Sequence, residues 1–200
     1  MGNEEQHLEN LKEIRTLMER SSRFQPLSGG AGIVMGLIAL AGLASFHIIT
    51  GTSVSEAMDL RDMMMPEGEY DQGLLTSLLL IASAMLVFAI ITAAWMTYRR
   101  AMKLGLPVWD SSARRMTINL AFMLTTGGLF CLALLYHRYP EWLAPASLTF
   151  YGISLYATGR YAIETLRYLG MAISTLGIIA AFVPQYGQLL WGAGFGFAHI

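Results

Sequence analysis

From Leu74 to Tyr98 the chain reads LLTSLLLIASAMLVFAIITAAWMTY without a charged residue, and Arg99 and Arg100 close the run. As a helix rising about 1.5 Å per residue it reaches about 37 Å, enough to cross the roughly 30 Å hydrocarbon core of a bilayer with some tilt. Trp95 and Tyr98 then sit at headgroup depth beside the arginine pair, which marks that end as cytoplasmic. The other apolar segments alternate in direction around this one, so its orientation fixes theirs.

Composition agrees. The 200 residues are 54% hydrophobic and 14% charged, too apolar for a soluble domain of ordinary usage. A net charge of -1 implies no nucleic-acid partner, and the position of each Lys and Arg matters more than their sum. Cys131 is the single cysteine and has no intrachain disulfide partner. The opening MGNEEQHLENLKEIRTLMERSSRF is too acidic, and too long before the first apolar run, for a cleavable signal peptide; the first span is expected to stay in the mature protein.

Residues 1–26 are expected to be a cytoplasmic segment carrying an amphipathic helix over 5–23, with Leu8, Leu11, Ile14 and Leu17 or Met18 at three- or four-residue steps. It reads as an interfacial anchor for the first span, or as a docking helix for a partner. Residues 27–200 read as a transmembrane bundle with spans over 27–50, 74–98, 116–136, 143–159, 169–184 and 185–200. In the first span Gly32 and Gly36 have the four-residue spacing that lets helix backbones approach closely in lipid, and His47 near its outer end is its one ionisable group. The loop 51–73 is acidic, faces outward, and carries Met63, Met64 and Met65, thioethers of the kind that favour Cu(I).

The third span holds Asn119, Thr125, Thr126, Gly127 and Gly128. Polar groups on such a helix bond a neighbouring helix or their own backbone, or line a solute path. His137 stands in the short outer turn HRYPEW, and Glu164 can pair with Arg160 or Arg167 on the inner rim. Over 185–200 a helix would reach only about 24 Å, short for a complete span. The run GAGFG at 192–196 reads as helix-packing glycine and not as a nucleotide loop. Of the 13 Lys and Arg, all but Arg61 and Arg138 fall on inner segments, which gives six spans with both termini cytoplasmic.

Several stretches together, MERSSRF with LSGGAG, TTGGLFCLALLYH, LAPASLTFYG, ETLRYLG and WGAGFGFAHI, resemble a family of small uncharacterised bacterial six-span integral membrane proteins. The resemblance implies an all-α, polytopic helix bundle of a bacterial inner membrane. It implies no catalytic or binding role, and the methionine-bearing outer loop falls outside it.

Apart from His47, no Asp, Glu, Lys, Arg or His falls within the central part of any expected span, whereas proton-coupled transporters and intramembrane metal or carboxylate enzymes place such groups at depth. The sequence also lacks HExxH, GxSxG and CxxC. The expectation is a non-enzymatic membrane scaffold or regulatory module engaging itself or a cytoplasmic protein partner. A channel or facilitator for a small solute is the alternative. An outward-facing metal or haem site built from His47, His137 and the loop methionines is the third; cofactor and metal are left open.

Overall fold

The computed structural model describes residues 6–7, 29–52 and 70–200. The body of the expected amphipathic helix over 5–23 and the methionine run Met63–Met65 lie outside the described residues. What is described is all-helical, with no β-strand, and four of its helices are long and apolar enough to cross a membrane.

Helix α1 is Gly29–Thr50 and α2 is Gln72–Leu104. The second extends the charge-free run at both ends because each end is capped. Asp71 accepts from the backbone N–H groups of Gly73 at 2.8 Å and Leu74 at 3.1 Å. Gly105, at φ 64°, adopts the left-handed conformation that closes a helix and returns its N–H to Ala101 and Met102. With 33 residues α2 is about 50 Å long, so it overreaches the hydrocarbon core. Helix α3, Ser111–Tyr136, starts where Asp110 accepts from the Ala113 N–H at 2.6 Å.

A turn through Pro140–Trp142 leads to α4, Leu143–Thr158, and a second turn to α5, Thr165–Phe182. The segment expected as a sixth span is broken. Pro184–Tyr186 forms a 3-10 turn, Gly187–Trp191 a short helix α6, Gly192–Gly196 a π turn, and Phe197–His199 a final 3-10 turn. Glycine at 192, 194 and 196 removes the side chains that would favour an ordinary α ladder, and the backbone widens there.

At 16 residues α4 is the shortest of the five long helices, yet it is the most enclosed, burying Ala144, Pro145, Leu148, Gly152, Ser154, Leu155 and Thr158. Leu148 and Leu155 meet Ile173 and Ala180 of α5 in the core. The α4–α5 seam is close because glycines face it from both sides. Gly152 and Gly159 abut Ser174 and Arg167, and Gly170 and Gly177 abut Tyr156 and Thr149. A Cβ on Gly170 would stand 2.5 Å from the Tyr156 backbone nitrogen.

The partners fix the arrangement. Helix α2 packs on α1, with Gly42 against Met85; α3 packs on α4, with Gly127 against Phe150 and the Phe130 and Phe150 rings 5.4 Å apart. Although α2 and α3 are joined by residues 105–110, they do not pack along their lengths. The C-terminal segment wedges between α1 and the α4–α5 pair. Following it from Gly192 to His199, its neighbours on α1 run backwards from Leu43 through Leu40 and Gly36 to Gly32. His199 lies against Tyr151, midway along α4, while the beginnings of α1, α3 and α5 and the ends of α2 and α4 share one end of the bundle. Arg99, Arg100, Lys103, Arg114, Arg115, Arg160 and Arg167 gather there, and Arg138 and Glu141 lie at the other.

Candidate functional site

The most elaborated polar geometry is at the break in the C-terminal segment. Trp191, Phe195 and His199, four residues apart, lie along one side of it, and Tyr151 of α4 meets them. The Trp191 and Phe195 ring centroids are 4.8 Å apart, Phe195 and Tyr151 4.7 Å, and Tyr151 and His199 5.6 Å. The imidazole is held at both nitrogens. Gly194 offers only a carbonyl, so His199 Nδ1 donates to it at 3.0 Å; Nε2 is then the acceptor, and the Tyr151 hydroxyl donates to it at 2.9 Å. One neutral tautomer satisfies both bonds, and no ring nitrogen is left for a metal. The cluster fastens the segment to α4.

Gly32 and Gly36 make this docking possible. A Cβ on Gly32 would lie 2.9 Å from the His199 carbonyl oxygen, and one on Gly36 would lie 2.6 Å from that of Gly196. The spacing expected to bring helices together thus brings α1 onto the widened turn. Gly127 also packs closely, a Cβ there falling 2.6 Å from that of Phe150. Gly128 makes no such approach within the chain: one residue on, its Cα points about 100° away, and nothing stands within 4 Å.

The remaining expected site residues are separate. His47 closes α1: its Nδ1 lies 2.9 Å from the Thr52 hydroxyl, Thr52 and Thr50 hydroxyls are 2.7 Å apart, and Thr50 donates to the Phe46 carbonyl at 2.9 Å. With Gly51 at φ 68° and the Thr52 N–H returning to the His47 carbonyl, this is a helix-end network. Asn119 donates to the Arg115 carbonyl and Thr126 to the Phe122 carbonyl, each at 2.9 Å, so both turn back on their own helix. Thr125 is exposed beside them. His137 is exposed and meets Tyr136 edge-on. These residues do not converge with the Tyr151 cluster, and among the described residues no group of three His, Cys, Asp or Glu could hold a metal.

At the cationic end Arg167 donates to the Tyr156 hydroxyl at 3.3 Å and lies over that ring at 5.1 Å. It thus engages α4, while Arg160 and Glu164 stay on the exposed rim. Arg99 lies over the Trp95 ring at 5.0 Å. At the opposite end, burial first and the Glu141 charge second raise the Tyr70 phenol above its ordinary value, with Arg138 opposing them. Arg138 holds φ 65°, a strained conformation for a non-glycine residue.

Comparisons with protein-family models, with curated proteins and with solved structures find no match to this chain. The site must be read on its own chemistry.

The aromatic cluster had a trace in the sequence, since Trp191, Phe195 and His199 recur at a four-residue step. Its partner Tyr151 stands 48 residues before His199, with no local pattern to join them. The α4–α5 seam had one too: Gly152 with Gly159 and Gly170 with Gly177 are each seven apart.

Proposed function

We propose that this chain is a six-pass inner-membrane protein of a bacterium, with both termini cytoplasmic, that serves as a binding module for a second copy of itself or a cytoplasmic protein and not as an enzyme. The observation that carries this reading is α2. It is the longest helix, it packs within the chain on α1 alone among the long helices, and none of its most apolar stretch is buried. In water so large an apolar surface drives aggregation, whereas in a bilayer it is an ordinary lipid or protein contact. Helix α4 and the broken C-terminal segment supply the two further passes. Their shortness is tolerable because neighbouring helices shield them, and a widened turn is accepted at membrane depth where protein covers it. The cations at one end set that end in the cytoplasm.

A solute path draws less support, because Asn119 and Thr126 bond their own backbone. A metal or haem site draws less still: His47 is engaged by Thr52, while His137 stands apart from it beyond a different helix.

The test is labelling in intact cells followed by gentle extraction. With Cys131 replaced by Ala, a cysteine at Leu106 should resist an impermeant maleimide and one at Tyr139 should react. Native mass spectrometry of the extracted protein should then show a homo-oligomer or a second polypeptide. Reversed labelling would overturn the topology, and a bare monomer in membranes and in detergent would overturn the binding role.

A further inference from the structure

Five cations flank the loop between α2 and α3. Arg99, Arg100 and Lys103 lie at the end of one helix and Arg114 and Arg115 in the opening turns of the other. Among the described residues none of the five makes an ion pair. The one acid between them, Asp110, is turned to the Ala113 N–H as the α3 cap. Arg114 and Arg115 stand at the positive end of a helix dipole, where a cation is unfavourable, so helix stability does not account for them.

The loop itself exposes Trp109, at 64%, and Arg99 is pinned over Trp95, an amphipathic ring of the kind that settles at headgroup depth. Below this end α2 and α3 diverge to different partners, α1 and α4, and do not pack on each other. Outside those contacts both helices expose large apolar side chains, among them Leu86 and Phe88 on α2 and Ile118 and Phe122 on α3. Exposed apolar helix faces below a cluster of cations that pair with no acid among the described residues, with the α3 N-terminus adding its own positive end, match one amphiphile in both halves: fatty chains below, a phosphate above.

We propose that the α2–α3 end of the bundle is a binding site for an anionic phospholipid, its phosphodiester held by Arg99, Arg100, Lys103, Arg114 and Arg115 and its chains lying in the seam between the two helices. This rests on the membrane reading above, with the cationic end at an anionic leaflet. The site is discrete: Arg160 lies at the same end but beyond α4, outside the seam, and carries no part of it.

The experiment uses the full chain in two steps. Flotation with phosphatidylcholine vesicles comes first. Protein that fails to float overturns the membrane reading and this site together; protein that floats leaves only the site at stake. Detergent-solubilised protein is then stripped of lipid, titrated with phosphatidylglycerol or phosphatidylcholine, and followed by native mass spectrometry at 150 mM salt. Phosphatidylglycerol should be retained in preference to phosphatidylcholine. R114Q/R115Q should weaken its retention about 30-fold, from about fivefold for each cation removed near an anionic lipid. R99Q/R100Q should act similarly, and R160Q should leave retention within twofold. Circular dichroism and gel filtration confirm that each variant is folded, and R114K/R115K, which keeps the charge, should restore retention. Equal retention of the two lipids, or equal loss in R160Q and R114Q/R115Q, overturns the site. So does displacement of the lipid by millimolar inorganic phosphate, which would show that the cations select a free anion and the seam contributes nothing.

Discussion

Replacing Gly170 by Ala places a methyl group where two backbones already meet. The new Cβ would stand 2.5 Å from the Tyr156 nitrogen, 2.6 Å from the Gly152 carbonyl oxygen and 3.0 Å from the Tyr156 Cα. All three are main-chain atoms, so no rotamer change can relieve the contact. Reaching an ordinary separation near 3.5 Å requires α4 and α5 to part by about 1 Å, and overpacking of this kind costs about 1–3 kcal/mol. Gly128→Ala adds the same methyl group where nothing lies within 4 Å. There the helix gains the alanine preference of up to about 1 kcal/mol, without a clash. Gly170 is helical too and gains the same preference, so the two variants should differ by the clash alone, about 1–3 kcal/mol. Thermal unfolding in one mild detergent, followed by the loss of the monodisperse gel-filtration peak, should place Gly170→Ala well below Gly128→Ala in midpoint. Equal midpoints would refute the close α4–α5 seam.

Tyr151→Phe removes the donor to His199 and should cost about 1 kcal/mol. The loss should appear as faster hydrogen exchange over residues 192–199, and a double-mutant cycle with His199→Ala should be non-additive. Tyr70 should titrate above the ordinary tyrosine value near 10, and absorbance difference spectra against Tyr70→Phe should show Glu141→Gln lowering its midpoint and Arg138→Gln raising it. Because its folded value is raised, the stability Tyr70 contributes is complete below pH 10 and is lost as pH climbs through the raised value, so the end of the bundle that carries Tyr70 and Glu141 should loosen only in strong alkali. Thr52→Val should leave His47 without its hydroxyl partner and speed exchange at the end of α1, while leaving the exchange of 192–199 unchanged.

The middle of α2, residues 74–98, was legible because an uninterrupted apolar run needs no tertiary contact to be recognised; its extension to Leu104 follows from the cap at Gly105 and not from the apolar run. The His47 contact is local as well: Thr52 is five residues away. Gly32 and Gly36 were recognised as a close-packing pair, but not what they pack against. That depends on the C-terminal break, which the shortness of residues 185–200 hinted at without disclosing the widened turn. Tyr151 with His199 was out of reach, since the bond joins elements far apart in sequence and neither residue is unusual in its own helix. Gly127 and Gly128 look alike in a string of letters, and only the direction each faces separates a packed glycine from a bare one.

The wedge also sets an order of assembly. Helices α1 and α2 form one hairpin, and α3, α4 and α5 form a second group; residues 187–199 join them, and those residues are synthesised after both. Until they emerge, the nascent chain holds two bodies tethered by the six residues from Gly105 to Asp110, and the Gly32 face of α1 stays uncovered. The last contact to form is therefore the one that makes a single body of the two. A chaperone or neighbouring subunit that covers that face during synthesis would determine when closure happens.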